Sequence, residues 1–301
     1  MNDINVAKKV YRKLLRVLPT KIALYIIYFR GYKKILNLSN PQTWGEKIQW
    51  LKLYGGLENL SDYVDKYKVR DYVKDTIGET YLNELYGVYD SIDEINFDVL
   101  PNKFVLKSTN GSGTVLVCKD IDSFDLKKAK HEMKKWLNDD YWKEKKEPQY
   151  KNVKNRIIIE KYLEDESGSL TDYKFYCFNG KVKYYAVFYD RYTNKSIDVY
   201  SSDNERLDNV KGCNIQNSDY IISNFENINT MIKLSEKLGQ IFTCVRVDFY
   251  CIQNKPVFGE LTFTDGAGSD SWNPIKFDLE IASNISLSKV LLDKNIREEK
   301  F

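Results

Sequence analysis

Two carboxylates, Asp248 and Glu260, lie in a stretch of sequence that predicts a β-hairpin. Apolar and polar side chains alternate through 245–250, which is the period of a half-buried strand, and 257–262 predicts its partner. A three-residue loop at 253–255 closes the hairpin and sets Asp248 directly opposite Glu260. Facing Cβ atoms in such a pair lie about 5 Å apart, so the two negative charges need a positive partner.

Two kinds of positive partner suit this pair of carboxylates. Mg²⁺ commonly takes one or two protein carboxylates and completes its shell with phosphate oxygens, which predicts a metal site for a phosphate-bearing substrate. The alternative is a solvated hairpin face on which an arginine neutralises the carboxylates, since charge patterns are usually surface patterns. The hairpin alone favours neither interpretation.

A turn rich in small residues, Asn110-Gly111-Ser112-Gly113, separates apolar strands at 103–107 and 115–118. Lys107 ends the first strand, and small residues let backbone N–H groups close around phosphate oxygens. A P-loop is excluded because no helix with a Lys-Ser or Lys-Thr pair follows the turn. A plain hairpin turn is the alternative, and as a bare pattern it is the commoner one.

Helices are predicted before these strands. Thr43 and Glu46 form a capping box at the start of a helix over 44–54. Ser61 begins a second helix that continues to about residue 75 and carries Lys66, which on a helix is ordinarily a solvated lysine.

A buried strand and a second hairpin follow the small-residue turn. The strand at 156–163 runs into acids and small residues at 164–169, as expected of a hinge between two lobes. Asn179-Gly180 then joins two strands, and this dipeptide predicts a type I′ turn.

Composition and charge narrow the class of protein. The 301 residues suffice for one large domain or two ordinary ones, and a net charge of +3 gives no indication of nucleic-acid binding. The five cysteines show no CxxC spacing, which predicts free, buried thiols and a reducing cytoplasm. His131 has no second His or Cys at metal-ligand spacing, so we expect it on the surface.

The first 34 residues carry nine Lys or Arg side chains against one acid, Asp3. Apolar side chains fall at helical spacing at Val6, Val10, Leu14, Val17 and Leu18. One interpretation is a basic amphipathic helix that lies on an anionic membrane surface. The alternative, which we favour, is a helix docked on the body of the protein with its lysines in water. The longest early apolar run is far shorter than the roughly 20 residues that a spanning helix needs.

Four sequence phrases, taken in order, resemble the TupA-like ATP-grasp family, which is associated with bacterial surface-polysaccharide and teichuronopeptide synthesis. They are 40–51, 104–107 with 110–113, 160–163 with 172–174, and 246–248 with 259–264. The resemblance covers about 37–280 and implies the α+β ATP-grasp fold, in which two α+β lobes clamp ATP. It implies an N-terminal helical region at 1–80, a small lobe with the phosphate flap at 81–163, and a large lobe with the metal site at 164–301.

The resemblance also implies a nucleotide site that draws on both lobes. Its implied nucleotide-binding residues are Lys66, Lys107, Asn110, Gly111, Ser112, Gly113, Glu160, Lys161, Tyr162, Leu163 and Lys174. The implied metal ligands are Asp248, Glu260 and Thr262, and the implied catalytic residues are Arg246, Lys107 and Lys174. Thr262 departs from the family pattern, in which an Asn often follows the Glu by two, and its neutral hydroxyl is a weaker ligand.

The implied cofactors are ATP and Mg²⁺, and the implied activity is carboxylate–amine ligation through an acyl phosphate with release of ADP and phosphate. We expect carboxylate and amine substrates, such as a uronic acid and an amino acid, that are small molecules or glycans of capsule or other surface-polysaccharide assembly. The enzyme is expected in the cytoplasm, with a peripheral membrane contact through its N-terminal helix as an open alternative. Other candidates are an ATP-grasp phosphotransferase, a glycosyltransferase with Asp120-Ile121-Asp122 as its metal motif, and a non-catalytic membrane-docking module.

Overall fold

The computed structural model describes residues 2–165, 168, 170–190, 194–212, 215–222 and 224–290. The helices are α1 (Asn2–Val17), α2 (Thr20–Tyr32), α3 (Trp44–Tyr54), α4 (Ser61–Val64), α5 (Val69–Ile77), α6 (Leu126–Leu137), α7 (Trp142–Lys145), α8 (Glu226–Gly239) and α9 (Ile275–Ser283). The strands are β1 (Leu85–Tyr89), β2 (Phe104–Ser108), β3 (Val115–Cys118), β4 (Ile157–Lys161), β5 (Asp172–Phe178), β6 (Lys181–Tyr189), β7 (Ser196–Ser201), β8 (Lys211–Gly212), β9 (Cys244–Ile252), β10 (Lys255–Thr262) and β11 (Trp272–Asn273). The predicted hinge at 164–169 is described only in part, and Cys213 lies outside the described residues.

Two antiparallel sheets organise the described chain. The small sheet has the strand order β1-β4-β2-β3, and the large sheet has the order β10-β9-β5-β6-β7. A short pairing of β11 with β8 stands apart from both. Strand β4 lies inside the small sheet, between β1 and β2. Its three consecutive isoleucines at 157–159 are all buried, so both faces of the strand are covered.

Each sheet has its own hydrophobic cluster and its own covering helix. In the small sheet, Phe104 and Leu106 of β2 pack in one cluster with Met133 of α6. In the large sheet, Phe175 of β5 belongs to a cluster that includes Leu238 of α8. The architecture is therefore α+β with antiparallel sheets, as predicted.

The β9–β10 hairpin confirms the predicted pairing of Asp248 with Glu260 but not the predicted turn. The turn has two residues, Gln253 and Asn254, whose φ angles of 50° and 60° suit a type I′ turn. The prediction of a three-residue loop was therefore wrong. A bulge at Gly259 then shifts the register by one residue, so that Asp248 still faces Glu260.

The predicted helix over 61–75 is interrupted, which corrects the expected setting of Lys66. Helix α4 ends at Val64, and α5 begins only at Val69. The carboxylate of Asp65 accepts hydrogen bonds from the backbone N–H groups of Tyr67 and Lys68 at 2.8 and 3.1 Å, and this local turn competes with a continuous helix. Lys66 therefore lies in the break between the helices.

The N-terminal helices pack on the body through one side of each helix. Leu15 of α1 is buried with Leu24 and Ile27 of α2. At the start of α3, the predicted capping box of Thr43 and Glu46 is confirmed. Within the part of the chain that the structure describes, no helix combines the length and the apolar character needed to cross a membrane.

The thiols and the single histidine match the sequence predictions in most respects. Among the described residues, Cys118, Cys177, Cys244 and Cys251 form no disulfide bond; the first two are buried as predicted, whereas the other two are only half-buried. His131 is exposed on α6.

Candidate active site

Arg246 lies between the carboxylates of Asp248 and Glu260. Its Nε and one terminal nitrogen donate to the two oxygens of Asp248, both at 2.7 Å, and the same terminal nitrogen donates to Glu260 Oε1 at 3.1 Å. Burial opposes the charge of Arg246, but Asp248 and Asp265 outweigh burial and raise the Arg246 pKa well above its usual value. In this structure an arginine neutralises the pair, as in one alternative that the sequence left open, but Arg246 and Asp248 are buried and not on the solvated face which that alternative assumed.

Asp248 is held from a second strand as well. Lys174 faces it across the β5–β9 ladder and donates to Asp248 Oδ2 at 2.6 Å. Burial alone would raise the Asp248 pKa, but Arg246 and Lys174 outweigh burial and lower it. Asp248 is therefore a buried carboxylate that stays ionised at neutral pH.

Glu260 is more open than its partner Asp248. Its side chain is 38% exposed, and its Oε1 atom accepts from Arg246 and, at 3.3 Å, from the hydroxyl of Thr262. Among the described residues, Glu260 Oε2 accepts no hydrogen bond. The structure thus brings Asp248, Glu260 and Thr262 together and leaves one carboxylate oxygen toward the open side.

These three oxygen ligands suit a hard cation that brings further ligands with it. Within the described ranges, no three His, Cys, Asp or Glu side chains are grouped so as to hold a metal by themselves. Mg²⁺ does not require such a group, because one or two carboxylates suffice when phosphate oxygens and water complete its shell. The donor types of Asp248, Glu260 and Thr262 therefore suit Mg²⁺ that arrives with a phosphate ligand, but in this structure Arg246 and Lys174 engage both oxygens of Asp248.

Asp265 is a fourth charged partner that the sequence analysis missed. It forms an ion pair with the remaining terminal nitrogen of Arg246, and its Oδ2 atom accepts from the Tyr176 hydroxyl at 2.9 Å. Burial, followed by the charge of Asp265, raises the Tyr176 pKa well above its usual value, so the phenol stays protonated. The only signal in the sequence is an acid five residues after Glu260, in a loop otherwise made of small residues.

The loop at 264–269, which carries Asp265, is held in place by helix α3. The Gln49 side chain donates to the carbonyl oxygens of Ala267 and Gly268 at 2.9 and 3.0 Å. Lys52 donates to the Ala267 and Lys145 carbonyl oxygens at 2.7 and 2.9 Å. Burial lowers the Lys52 pKa to about 7. Neither residue was singled out from the sequence, because the helix that carries them is more than 200 residues away from this loop.

Helix α2 approaches the same loop through a glycine. A Cβ atom built on Gly31 would lie 1.7 Å from the Ser269 carbonyl oxygen, so the helix backbone touches the loop directly. The N-terminal helices are therefore part of the scaffold of the site.

On the small sheet, Lys107 and Glu160 form an ion pair across neighbouring strands. Lys107 Nζ lies 2.5 Å from Glu160 Oε2, and Arg70 lies 3.4 Å from Glu160 Oε1. Arg70 was not predicted; it follows the helix break in sequence and reaches back to β4. Glu160 is buried and engaged by these cations, and its strand is paired on both sides, with β1 and β2.

Part of the predicted adenine-binding backbone is already used. The Lys161 N–H donates to Glu84, and the Lys161 carbonyl accepts from the Asn83 side chain, both at 2.9 Å. In the described part of the chain, the backbone groups of Tyr162 and Leu163 make no hydrogen bond. The structure thus leaves Tyr162 and Leu163 as the free edge of the predicted adenine site.

The small-residue turn after Lys107 is fixed at one end and open at the other. Lys66 donates to the Gly111 carbonyl, and the Asn110 side chain donates to Asn155 at 2.7 Å. A Cβ atom on Gly111 would lie 2.5 Å from the Tyr141 ring, which fixes this residue as glycine. Ser112 and Gly113 are exposed at the tip of the turn.

Lys66 is the point at which the two sides of the site meet. Burial lowers its pKa, Glu260 opposes that shift, and Lys107 adds to it. Glu260 belongs to the large sheet and Lys107 to the small sheet, so Lys66 senses charges from both.

The Asp120-Ile121-Asp122 triplet does not join this site. It follows the Cys118 end of β3, whereas Lys107 pairs with Val115 at the other end. The backbone N–H of Ile121 donates to the Asn102 side chain at 2.8 Å, which is an ordinary turn contact.

Comparison with known proteins identifies the family. The model of the TupA-like ATP-grasp family matches residues 46–286. A comparison with curated proteins finds no match. Among solved structures, the chain is similar to D-alanine–D-alanine ligase from Bacillus anthracis complexed with ATP, with 15% identity, a TM-score of 0.43, and coverage of 79% of this chain and 66% of that one.

Two other solved ligases are similar at comparable levels. For L-amino acid ligase from Bacillus licheniformis, the identity is 11%, the TM-score is 0.40, and coverage is 69% of this chain and 42% of the ligase. For phosphoribosylamine–glycine ligase from Thermotoga maritima, the identity is 10%, the TM-score is 0.40, and coverage is 70% of this chain and 51% of the ligase. The chain spans less than two thirds of the length of each of these two ligases. The family match over most of its residues shows that the chain belongs to the TupA-like ATP-grasp family.

Proposed function

We propose that this protein is an ATP-dependent carboxylate–amine ligase. The observation that carries the proposal is the position of Lys66, which donates to the Gly111 carbonyl of the small-residue turn and senses the charges of both Lys107 on the small sheet and Glu260 of the Arg246 cluster. Phosphoryl transfer requires positioning and neutralisation of charge more than covalent help from the protein, and this arrangement offers both. Membership of the ATP-grasp family supports the same conclusion.

The proposed reaction has two steps. A substrate carboxylate oxygen attacks the γ-phosphorus of ATP, the bond to the bridging oxygen breaks, and ADP leaves. An amine nitrogen then attacks the acyl carbon, the bond from that carbon to the phosphate oxygen breaks, and phosphate and a proton leave as the amide forms.

The nucleotide is proposed to lie between the two sheets. Lys66 and Lys107 neutralise phosphate oxygens from the small-sheet side, and Asn110 to Gly113 cover them. The adenine base is held along 160–163, with Tyr162 and Leu163 as its free backbone partners. Lys174 contacts phosphate or ribose.

Mg²⁺ is proposed at Asp248, Glu260 and Thr262. When bound, it offsets the charge that develops on the transferred phosphoryl group. Arg246, released in part from the two carboxylates, then faces the acyl phosphate while Asp265 keeps its guanidinium oriented. Thr262 offers a neutral hydroxyl where an amide is common, which favours one metal ion over two.

The substrates, pathway and lobes are further parts of the proposal. We propose a uronic acid or similar carboxylate and an amino acid or other amine, as small molecules or on a glycan, in capsule or other surface-polysaccharide assembly within the cytoplasm. The division into 1–80, 81–163 and 164–301 is proposed from the sequence and is compatible with one sheet in each of the last two segments.

Release of ADP and phosphate in the presence of paired carboxylates and amines tests the proposal. Wild type should release both products in step with amide formation, and Glu260→Gln should lose this turnover without loss of fold by circular dichroism. Asp62→Asn, at an exposed ion pair with Lys68, is the matched control and should behave as wild type. Release of nucleoside diphosphate from sugar nucleotides without ATP turnover would instead assign a glycosyltransferase.

A further inference from the structure

Helix α1 presents an apolar stripe to solvent instead of to the protein. Val6, Val10, Leu14 and Val17 are 46–80% exposed. Taking 3.6 residues per turn, the three valines lie roughly 140–180° around the helix from buried Leu15. The helix docks on the body, as in the interpretation that we favoured from the sequence, but it does so through the face opposite to this stripe.

The basic residues of α1 also differ between the face that packs on the protein and the face that is exposed to solvent. On the inner side, Arg12 pairs with Glu144 at 3.0 Å, and Arg16 pairs with Asp139 at 2.7 Å. On the outer side, Lys13 lies three residues after Val10 and four before Val17, so it borders the stripe. Among the described residues, Lys13 forms no ion pair. The body thus neutralises the inward charges and leaves the outward charges for a partner.

Helix α2 repeats this arrangement. Its buried face is made by residues such as Leu24 and Ile27, whereas Ile22 and Phe29 are exposed. Lys21 precedes Ile22, Lys33 follows the helix, and both lysines are exposed. Two neighbouring helices therefore carry exposed apolar side chains beside lysines that form no ion pair within the described part of the chain. Single exposed apolar residues are common on protein surfaces, whereas a group of them beside lysines indicates an interaction surface.

We propose that the outer faces of α1 and α2 form a docking surface for an anionic lipid bilayer. Apolar side chains enter the boundary between headgroups and acyl chains, and lysines beside them contact the anionic headgroups. The exposed lysines beside the stripe, Lys13, Lys21 and Lys33, favour this partner over a neutral protein groove, because an anionic surface complements their charge. The proposal is independent of the chemistry at Arg246.

Cosedimentation of the full chain with lipid vesicles tests this surface. Wild type should bind phosphatidylcholine vesicles that contain about one third phosphatidylserine, bind pure phosphatidylcholine far less, and lose binding as salt is raised. The triple variant Val6→Asn, Val10→Asn, Val17→Asn should lower the partition coefficient at least about tenfold. The matched control changes exposed apolar residues elsewhere, Val99→Asn with Ile221→Asn, and should bind as wild type.

The lysines are tested by the same assay. Changing Lys13, Lys21 and Lys33 to Gln should weaken binding about fivefold for each lysine. Changing Lys127, Lys128 and Lys134, which are exposed on α6, to Gln should leave vesicle binding unchanged. Equal binding to neutral and anionic vesicles, or no vesicle binding at all, would overturn the proposal.

Two further measurements separate other outcomes. A dimer in sedimentation velocity that dissociates in the valine variant would assign the stripe to a second copy of the chain and refute the lipid surface. ATP turnover in solution should be unchanged in every one of these variants. A failure of the proposed ligase activity would therefore leave the vesicle result standing, and the reverse also holds.

Discussion

The two sides of the candidate site carry opposite balances of charge. On the small-sheet side, one carboxylate, Glu160, is engaged by Lys107 and Arg70, and Lys66 stands close by. Cations outnumber anions there. We call this group of four residues the cation-rich side.

On the large-sheet side, the balance is reversed. Asp248, Glu260 and Asp265 surround Arg246, and Lys174 adds only one more positive charge. We call these five residues the anion-rich side. A triphosphate needs cations, and a metal ion needs carboxylates, so the difference between the two sides indicates how a metal nucleotide would be oriented between them.

The largest effect is expected from a substitution of Asp248, the buried carboxylate of the anion-rich side. Asp248→Asn should lower ATP turnover about 10²–10³-fold and should cost about 3 kcal/mol of unfolding free energy, since Lys174 loses its buried partner. Glu260→Gln should lower turnover to a similar extent but cost less than about 1 kcal/mol, because Glu260 is more exposed. Urea unfolding and ADP release would measure both quantities. Equal stability losses in the two variants would contradict the assigned difference in burial.

The next effect breaks the cation-rich side. Lys107→Met should lower kcat/KM for ATP about 10–100-fold, which corresponds to the loss of one charge-assisted hydrogen bond to phosphate. Lys128→Met is the matched control, because Lys128 is an exposed lysine on α6. A similar loss in both variants would show that general basic charge, and not the position of Lys107, serves the nucleotide.

A smaller effect is expected from a substitution that disturbs the loop at 264–269 without touching the residues proposed to bind the nucleotide. Gly31→Ala places a Cβ atom against the Ser269 carbonyl oxygen and should cost about 1–3 kcal/mol of stability. Because the loop carries Asp265, we expect the KM of the acceptor to rise while the KM of ATP stays constant. Ile22→Ala, on the exposed face of the same helix, should change neither. A rise in the KM of ATP alone would show that this loop serves the nucleotide and not the acceptor.

The smallest change in turnover is expected from Lys52, whose effect is on stability. Burial lowers its pKa to about 7, so the folded protein binds fewer protons than the unfolded chain between pH 7 and the usual lysine pKa. Below pH 7 the folded protein bears the whole free-energy cost of burying a charged lysine. Between pH 7 and the usual lysine pKa, the free energy of unfolding rises with pH by at most about 1.4 kcal/mol per pH unit. In Lys52→Met, this part of the rise should disappear. Parallel stability curves for wild type and variant from pH 6.5 to 9.5 would refute the shift.

Local periodicity was sufficient for the two strands that carry Asp248 and Glu260 and for their pairing, but it did not predict β7 and β8. Alternation fixed which faces of β9 and β10 carry Asp248 and Glu260, and the predicted pairing held because two errors of one residue cancelled. The turn is one residue shorter than predicted, and the bulge at Gly259 restores the count. The structure also contains the Arg246 neutralisation that the pattern could not separate from a metal site.

Other features depend on contacts that no local pattern encodes. The break before α5 depends on Asp65, whose side chain bonds to the backbone in place of the helix, so periodicity continued across it. Gln49 and Lys52 meet Ala267 only in the folded chain. The apolar stripe of α1 was recognised from its spacing, but which face docks depends on where Glu144 lies.

The bulge at Gly259 gives the hairpin one spare residue beside its carboxylates. Without Gly259, the two-residue turn would lead directly to the same partners, with Phe249 facing Phe258 and Asp248 facing Glu260. Deletion of Gly259 would therefore leave this pairing unchanged and would remove the local twist that the bulge adds beside Glu260. In this chain, loss of Gly259 would change the local geometry beside Glu260 without changing the residue that faces Asp248, so chain length at this position is a means of adjusting the site.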